Sequence, residues 1–178
     1  VKLRIVVVLC KSPLLYSRSC CVYEMTLAES NDFLENNHIQ GACSSKWRYG
    51  LYFEGTPVAV MTFGRNRFGE GIELLRFCTA KHLTVIGGAS KLFKHFVDAH
   101  PEIKQIASFA DRRWSGKDAF YPKLGFTLNG ITPPAYSYII NNMRHNRMEF
   151  TKKKLVEAGF DPNMSEHEIM LSRKIYRI

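Results

Sequence analysis

The sequence predicts an α/β domain in which a mixed central sheet is flanked by helices. Three observations carry that expectation. Trp47–Phe53 and Val58–Phe63 are strand-like runs around the turn Glu54-Gly55-Thr56-Pro57, a hairpin pattern. A glycine-rich turn, Gly87-Gly88-Ala89-Ser90-Lys91, then separates a strand-like run from an amphipathic helix. After that helix the chain returns to a strand and to a short helix closed by Gly125.

In chain order, the apolar run Ile5 to Cys10 is too short to span a bilayer, and no membrane contact is expected. Lys2 and Arg4 ahead of it imitate a signal peptide, but without a convincing small-residue cleavage site an opening buried strand is expected. Lys11-Ser12-Pro13 breaks the run, and Cys20 to Met25 alternates as a second strand. Thr26-Leu27-Ala28-Glu29 is a capping box, so a helix opens there and ends near Asn36-Asn37-His38. After the hairpin, 64–71 is a polar loop bearing arginines, and Ile72 to Cys78 is a strand with Glu73 and Arg76 among apolar residues. The helix after the glycine turn places Leu92, Phe93, Phe96 and Val97 on one side and stops at Pro101. Strands are expected at Ile103–Phe109, Phe126–Leu128 and Tyr136–Ile140, with helices over Lys117–Leu124, Leu155–Phe160 and Ser165–Met170.

With 178 residues, 46% hydrophobic and 23% charged, the chain suits one domain that buries its own core. The expected core covers about 22–140, with a basic extension over 141–178. Five cysteines without a C-x-x-C spacing give no support to a zinc ribbon or a thioredoxin-like site. They are expected to be reduced thiols in a cytoplasmic protein. The formal charge of +9 favours an anionic partner, nucleic acid being the commonest large one; double-stranded DNA is the partner expected here, and a homodimer is compatible with the sequence.

The glycine turn is suited to an anion, because glycines admit a phosphate and a helix N-terminus offers free N–H groups. Gly87, Gly88, Ala89, Ser90 and Lys91 are therefore the candidate cofactor-binding residues, although a purely structural turn would use the same residues. The spacing matches neither a Walker A loop nor G-x-G-x-x-G. Asp111, beyond a strand end, suits a general base or a metal ligand. Tyr121 could donate a proton, and His38 could act as base or ligand. Arg112, Arg113 and Trp114 could grip phosphate and stack on a base, Arg65 and Arg67 could act likewise, and Arg144, Arg147, Lys152 and Lys153 would add a sequence-independent hold.

The order of elements ending in Tyr121-Pro122-Lys123-Leu124-Gly125-Phe126 resembles the GNAT acyltransferase superfamily, whose glycine loop binds coenzyme A. Thr84 stands where that family has Gln or Arg, which weighs against ordinary use of acetyl-coenzyme A. Asn37-His38-Ile39-Gln40-Gly41, Glu73-Leu74-Leu75-Arg76-Phe77, the glycine turn and Ala110-Asp111-Arg112-Arg113-Trp114 resemble a narrower, phage-encoded GNAT-like family. It includes the DNA-modification protein Mom and the C-terminal regions of homing-endonuclease-like phage proteins. That resemblance implies transfer of a carbamoylmethyl-like group to adenine in DNA, as protection from restriction. It implies a site of His38, Asp111 and Tyr121, which could hold iron, with Ser90 and Arg76 as further polar positions. An acetyl-coenzyme A-dependent N-acetyltransferase and a non-catalytic DNA-binding module are the alternatives.

Overall fold

A computed structural model describes residues 12–111, 115, 120–133 and 136–178. The expected first strand, Arg112 to Trp114 and the start of the expected helix at 117–119 lie outside them. The chain forms two compact units, Val1–Thr127 and Leu128–Ile178.

The first unit is a mixed sheet with helices on its two faces. Its strands are β1 (Leu14–Tyr16), β2 (Cys21–Glu24), β3 (Trp47–Phe53), β4 (Thr56–Arg65), β5 (Ile72–Thr79), β6 (Thr84–Ile86) and β7 (Ile106–Ala107). The helices are α1 (Leu27–Asn37), α2 (Gly88–Ala99) and the short α3 (Phe120–Lys123). Five strands pair in the order β2-β3-β4-β5-β7, antiparallel except for the parallel β5–β7 step, and β1 pairs with β6 in a separate parallel ribbon.

Side chains that alternate along a strand serve opposite faces. Ala59, Met61 and Phe63 of β4 join Leu92 and Phe96 of α2, with the Phe63 and Phe96 rings stacked at 3.6 Å. Val60 joins Phe33 and Leu34 of α1 on the other face. The register of β5 slips beside Thr62 and Phe63, which pair with Arg76 and Leu74, so Leu75 is the extra residue of a bulge.

Helix α1 begins as the sequence predicts. Thr26 accepts from the Glu29 N–H, and Glu29 accepts from the Thr26 N–H at 2.8 Å. Helix α3 ends in a Schellman motif at Gly125, φ +87°, where Phe126 N–H reaches the Tyr121 carbonyl and Gly125 N–H that of Pro122.

Several expectations are corrected. Thr56 and Pro57 belong to β4, leaving only Glu54 and Gly55 in the turn. Val97 is exposed, because α2 buries only a narrow stripe centred on Leu92 and Phe96. The strand expected over Ile103–Phe109 is only Ile106–Ala107, since β5 offers it just Ile72 and Glu73 as partners. Phe126–Leu128 forms no strand; Phe126 packs on the core while Leu128 is exposed.

The second unit contains β8 (Ser137–Ile140), β9 (Met143–Asn146), α4 (Lys152–Glu157) and α5 (Glu166–Ser172). The expected strand of the core at 136–140 is thus a hairpin strand of this unit, which the C-terminal residues join by exchanging backbone bonds between Ser137 and Ile178. Its core is Tyr138, Leu155, Ile169, Met170 and Ile175. Two capping boxes brace it, Asn146 with Glu149 and Ser165 with Glu168.

Candidate functional site

The glycine turn has a backbone that demands glycine at one position. Gly87 has φ +75°, and a Cβ there would lie 2.8 Å from the Ser17 hydroxyl oxygen. At Gly88 a Cβ would come 3.0 Å from Val85. Ala89 packs on the core, while Ser90 is exposed in the first turn of a twelve-residue helix. Lys91 turns toward the 3-10 turn at Ser17–Ser19, where its ammonium donates to the carbonyls of Ser17 at 2.9 Å and Cys20 at 2.5 Å. Thr84 bonds Ser12 through its hydroxyl at 2.5 Å.

Beyond β7 the sheet ladder gives way to a side chain. The Ser108 hydroxyl donates to the Leu74 carbonyl of β5 at 3.0 Å and lies 3.5 Å from the Tyr121 hydroxyl. The Tyr121 ring meets Phe126 edge-on at 5.7 Å. Three residues past Ser108 comes Asp111, half-buried, whose carbonyl accepts from the Ser115 N–H at 2.9 Å. The structure thus joins Tyr121 to the strand that leads to Asp111.

His38 caps α1. Its Nδ1 accepts from the Gln40 N–H at 3.0 Å, which places the ring proton of the neutral form on Nε2. The Arg76 guanidinium donates to the Gly41 carbonyl at 3.3 Å and to that of Leu75 at 2.9 Å, so it ties the His38 loop to β5. His38 and the glycine turn belong to helices on opposite faces of the sheet. Among the described residues no three His, Cys, Asp or Glu side chains gather as a metal site.

The predicted nucleic-acid residues divide between the units. Arg65 is exposed. Arg67 forms a two-point pair with Glu73, Nε to Oε2 at 3.0 Å and Nη2 to Oε1 at 2.6 Å. The Glu73 side chain is 1% exposed, and the carboxylate bonds hold the Arg67 guanidinium above its already high usual pKa. In the second unit, Arg144 bonds the Ser137 hydroxyl at 2.9 Å and Arg147 lies 5.0 Å from the Tyr136 ring. Lys152 is exposed, and Lys153 reaches Glu157 at 4.0 Å.

Residues that the sequence reading did not single out surround Arg65 and Arg67. Ser44, Ser45, Lys46, Gly64 and Leu75 join them around an open cleft of about 470 Å³. Beside it, the exposed rings of Phe68 and Phe109 meet edge-on at 5.0 Å, with the Arg67 guanidinium 5.6 Å from one and 5.9 Å from the other. The one local signal for this was a lone aromatic, Phe68, within a polar loop.

No helix among the described residues is long and apolar enough to cross a membrane. No protein-family model matches the sequence, and no curated protein shows significant similarity to it.

Proposed function

We propose that the chain is a DNA-modifying transferase on a GNAT-like fold, one that adds a small acyl-type, carbamoylmethyl-like group to the exocyclic amine of adenine. The observation that carries this reading is the Ser108–Tyr121 contact, which sets a hydroxyl beside the strand leading to Asp111. The order of strand, glycine turn, helix, strand and short helix supports it, as do the basic residues around the cleft.

In this reading Asp111 takes the proton that the amine releases as its nitrogen bonds the donor carbon. Tyr121 gives a proton to the leaving group as its bond to that carbon breaks. Ser108 is a positioning residue, holding the tyrosine hydroxyl in place. A bound donor, coenzyme A-linked or related, would supply the activated carbon and carry away the leaving group. The α2 N-terminus fits its phosphates in part: Ser90 is exposed there, whereas Lys91 is directed at backbone carbonyls. The residues that would hold an iron centre are His38, Asp111 and Tyr121, and His38 Nδ1 already accepts from the Gln40 N–H. No step is assigned to a metal.

The test is mass spectrometry of nucleosides from DNA of cells that express the chain. A mass-shifted adenine is expected, absent with Asp111→Ala and strongly reduced with Tyr121→Phe. Unmodified DNA in the presence of folded protein overturns the reading and favours an acetyltransferase of another amine or a binding module. Calorimetry with acetyl-coenzyme A separates those two.

A further inference from the structure

We propose that the first unit grips a single unstacked nucleotide, with its phosphate in the cleft lined by Ser45, Lys46, Arg65 and Arg67 and its base against Phe68 and Phe109. The inference deepens the DNA-modification reading and rests on it for the polymer involved.

The cleft is built for an anion. Lys46, Arg65 and Arg67 line it; of these three, among the described residues, Arg67 is the one paired with a carboxylate, Glu73, and the Lys46 ammonium lies 4.2 Å from the centroid of the Trp47 ring. Three cations beside a single carboxylate leave the cleft net positive, so an anion among them is favoured. The pair with Glu73 occupies two of the five N–H donors of Arg67, which leaves three for a ligand. Ser45 lines the same cleft, and its enclosed hydroxyl oxygen has no hydrogen-bond partner among the described residues. A tetrahedral group with several oxygens can accept from a guanidinium fork and a second cation together. At Gly64 a Cβ would lie 2.8 Å from the end of the Leu75 side chain, which lines the same cleft.

The aromatic pair gives the ligand its second half. Phe68 is 75% exposed and Phe109 42% exposed. The loop holds Phe68 outward by its own bonds: Asn66 N–H to the Gly71 carbonyl at 3.1 Å, Phe68 N–H to Asn66 Oδ1 at 3.1 Å, and Arg67 N–H to Glu73 at 3.3 Å. Ring faces beside phosphate-binding cations are the recognition mode of unpaired bases, whose faces a duplex hides. Phe109 also precedes Asp111 by two residues, which brings a stacked base toward the proposed chemistry.

Anisotropy titrations of the full chain with a labelled single-stranded DNA 12-mer, and with an abasic strand of equal length, test this. Phe68→Ala is expected to weaken the base-bearing strand about tenfold, to leave the abasic strand unchanged, and to be rescued by Phe68→Trp. Arg65→Ala should weaken both strands and reduce the salt slope by about 0.7. Equal effects of Phe68→Ala on both strands, or a salt slope unmoved by Arg65→Ala, overturn the proposal. Normal platform effects without DNA modification defeat only the proposed chemistry, and modification without platform effects defeats only this inference.

Discussion

Arg65 and Arg67 in the first unit and Lys152-Lys153-Lys154 in the second read alike as basic clusters, yet they are built on different supports. Arg67 is anchored by a buried carboxylate on a central strand, and its neighbours face a cleft. The lysines occupy the first turn of a six-residue helix with no acidic residue there, at the end where the backbone dipole is already positive. Lys154 donates to the Met148 carbonyl, and Lys153 makes a long pair with Glu157. A cation fixed from beneath can select the shape of its ligand, whereas exposed lysines contribute attraction without geometry. Net charge alone does not separate the two.

This contrast gives a graded set of expected losses. Arg67→Ala leaves the buried Glu73 without its ion partner, with only the residue-67 N–H among its described hydrogen bonds, and should cost about 3 kcal/mol in urea unfolding, the lower end for breaking a buried pair. An equal loss for Lys153→Ala would erase the distinction. Within the second unit, Glu166→Ala removes the carboxylate oxygen to which Tyr136 and Tyr138 both donate at 2.8 Å. It should cost about 2 kcal/mol, read from NMR signals of 128–178 on denaturation. Ser165→Ala, which deletes a helix cap, should cost about 1 kcal/mol by the same readout. Lys152→Ala and Lys153→Ala should each stay within about 0.5 kcal/mol by thermal melting.

Acid tests the second unit further. Hydrogen bonding to His145 first, then to the Asn146 N–H, lowers the Glu149 pKa, and bonds from Ser165 lower that of Glu168. Their folded values lie below the unfolded value of 4.5, so the stabilisation is complete above it and is lost as pH falls through the folded values. Signals of the second unit should weaken below about pH 4.5. A Glu149→Gln, Glu168→Gln double variant should flatten that profile.

Local chemistry made part of the fold legible. The Thr26–Glu29 box, the Trp47–Phe53 strand and the glycine at position 87 each follow from neighbours within a few residues. Partners distant in sequence were not legible. β1 is three residues long and exists through pairing with Thr84–Ile86. Glu73 looked like a polar intrusion in a strand because its partner lies across a loop, at Arg67. Phe68 and Phe109 share no periodicity, and only the approach of β7 to β5 brings them together. The candidate site was legible as residue types, at Asp111 and Tyr121, but Ser108, which links the tyrosine to the sheet, carried no signal.

The two-residue parallel ladder between β5 and β7 has a consequence for motion. Where it stops, the Ser108 hydroxyl takes over the Leu74 carbonyl, so a side chain stands in for the next backbone rung. Segments joined this way open by local unfolding, at far lower free energy than a central strand such as β4. Amide protons at 108–111 should therefore exchange with solvent well before those at 58–63. Phe109 would then move with this segment, in openings smaller than global unfolding.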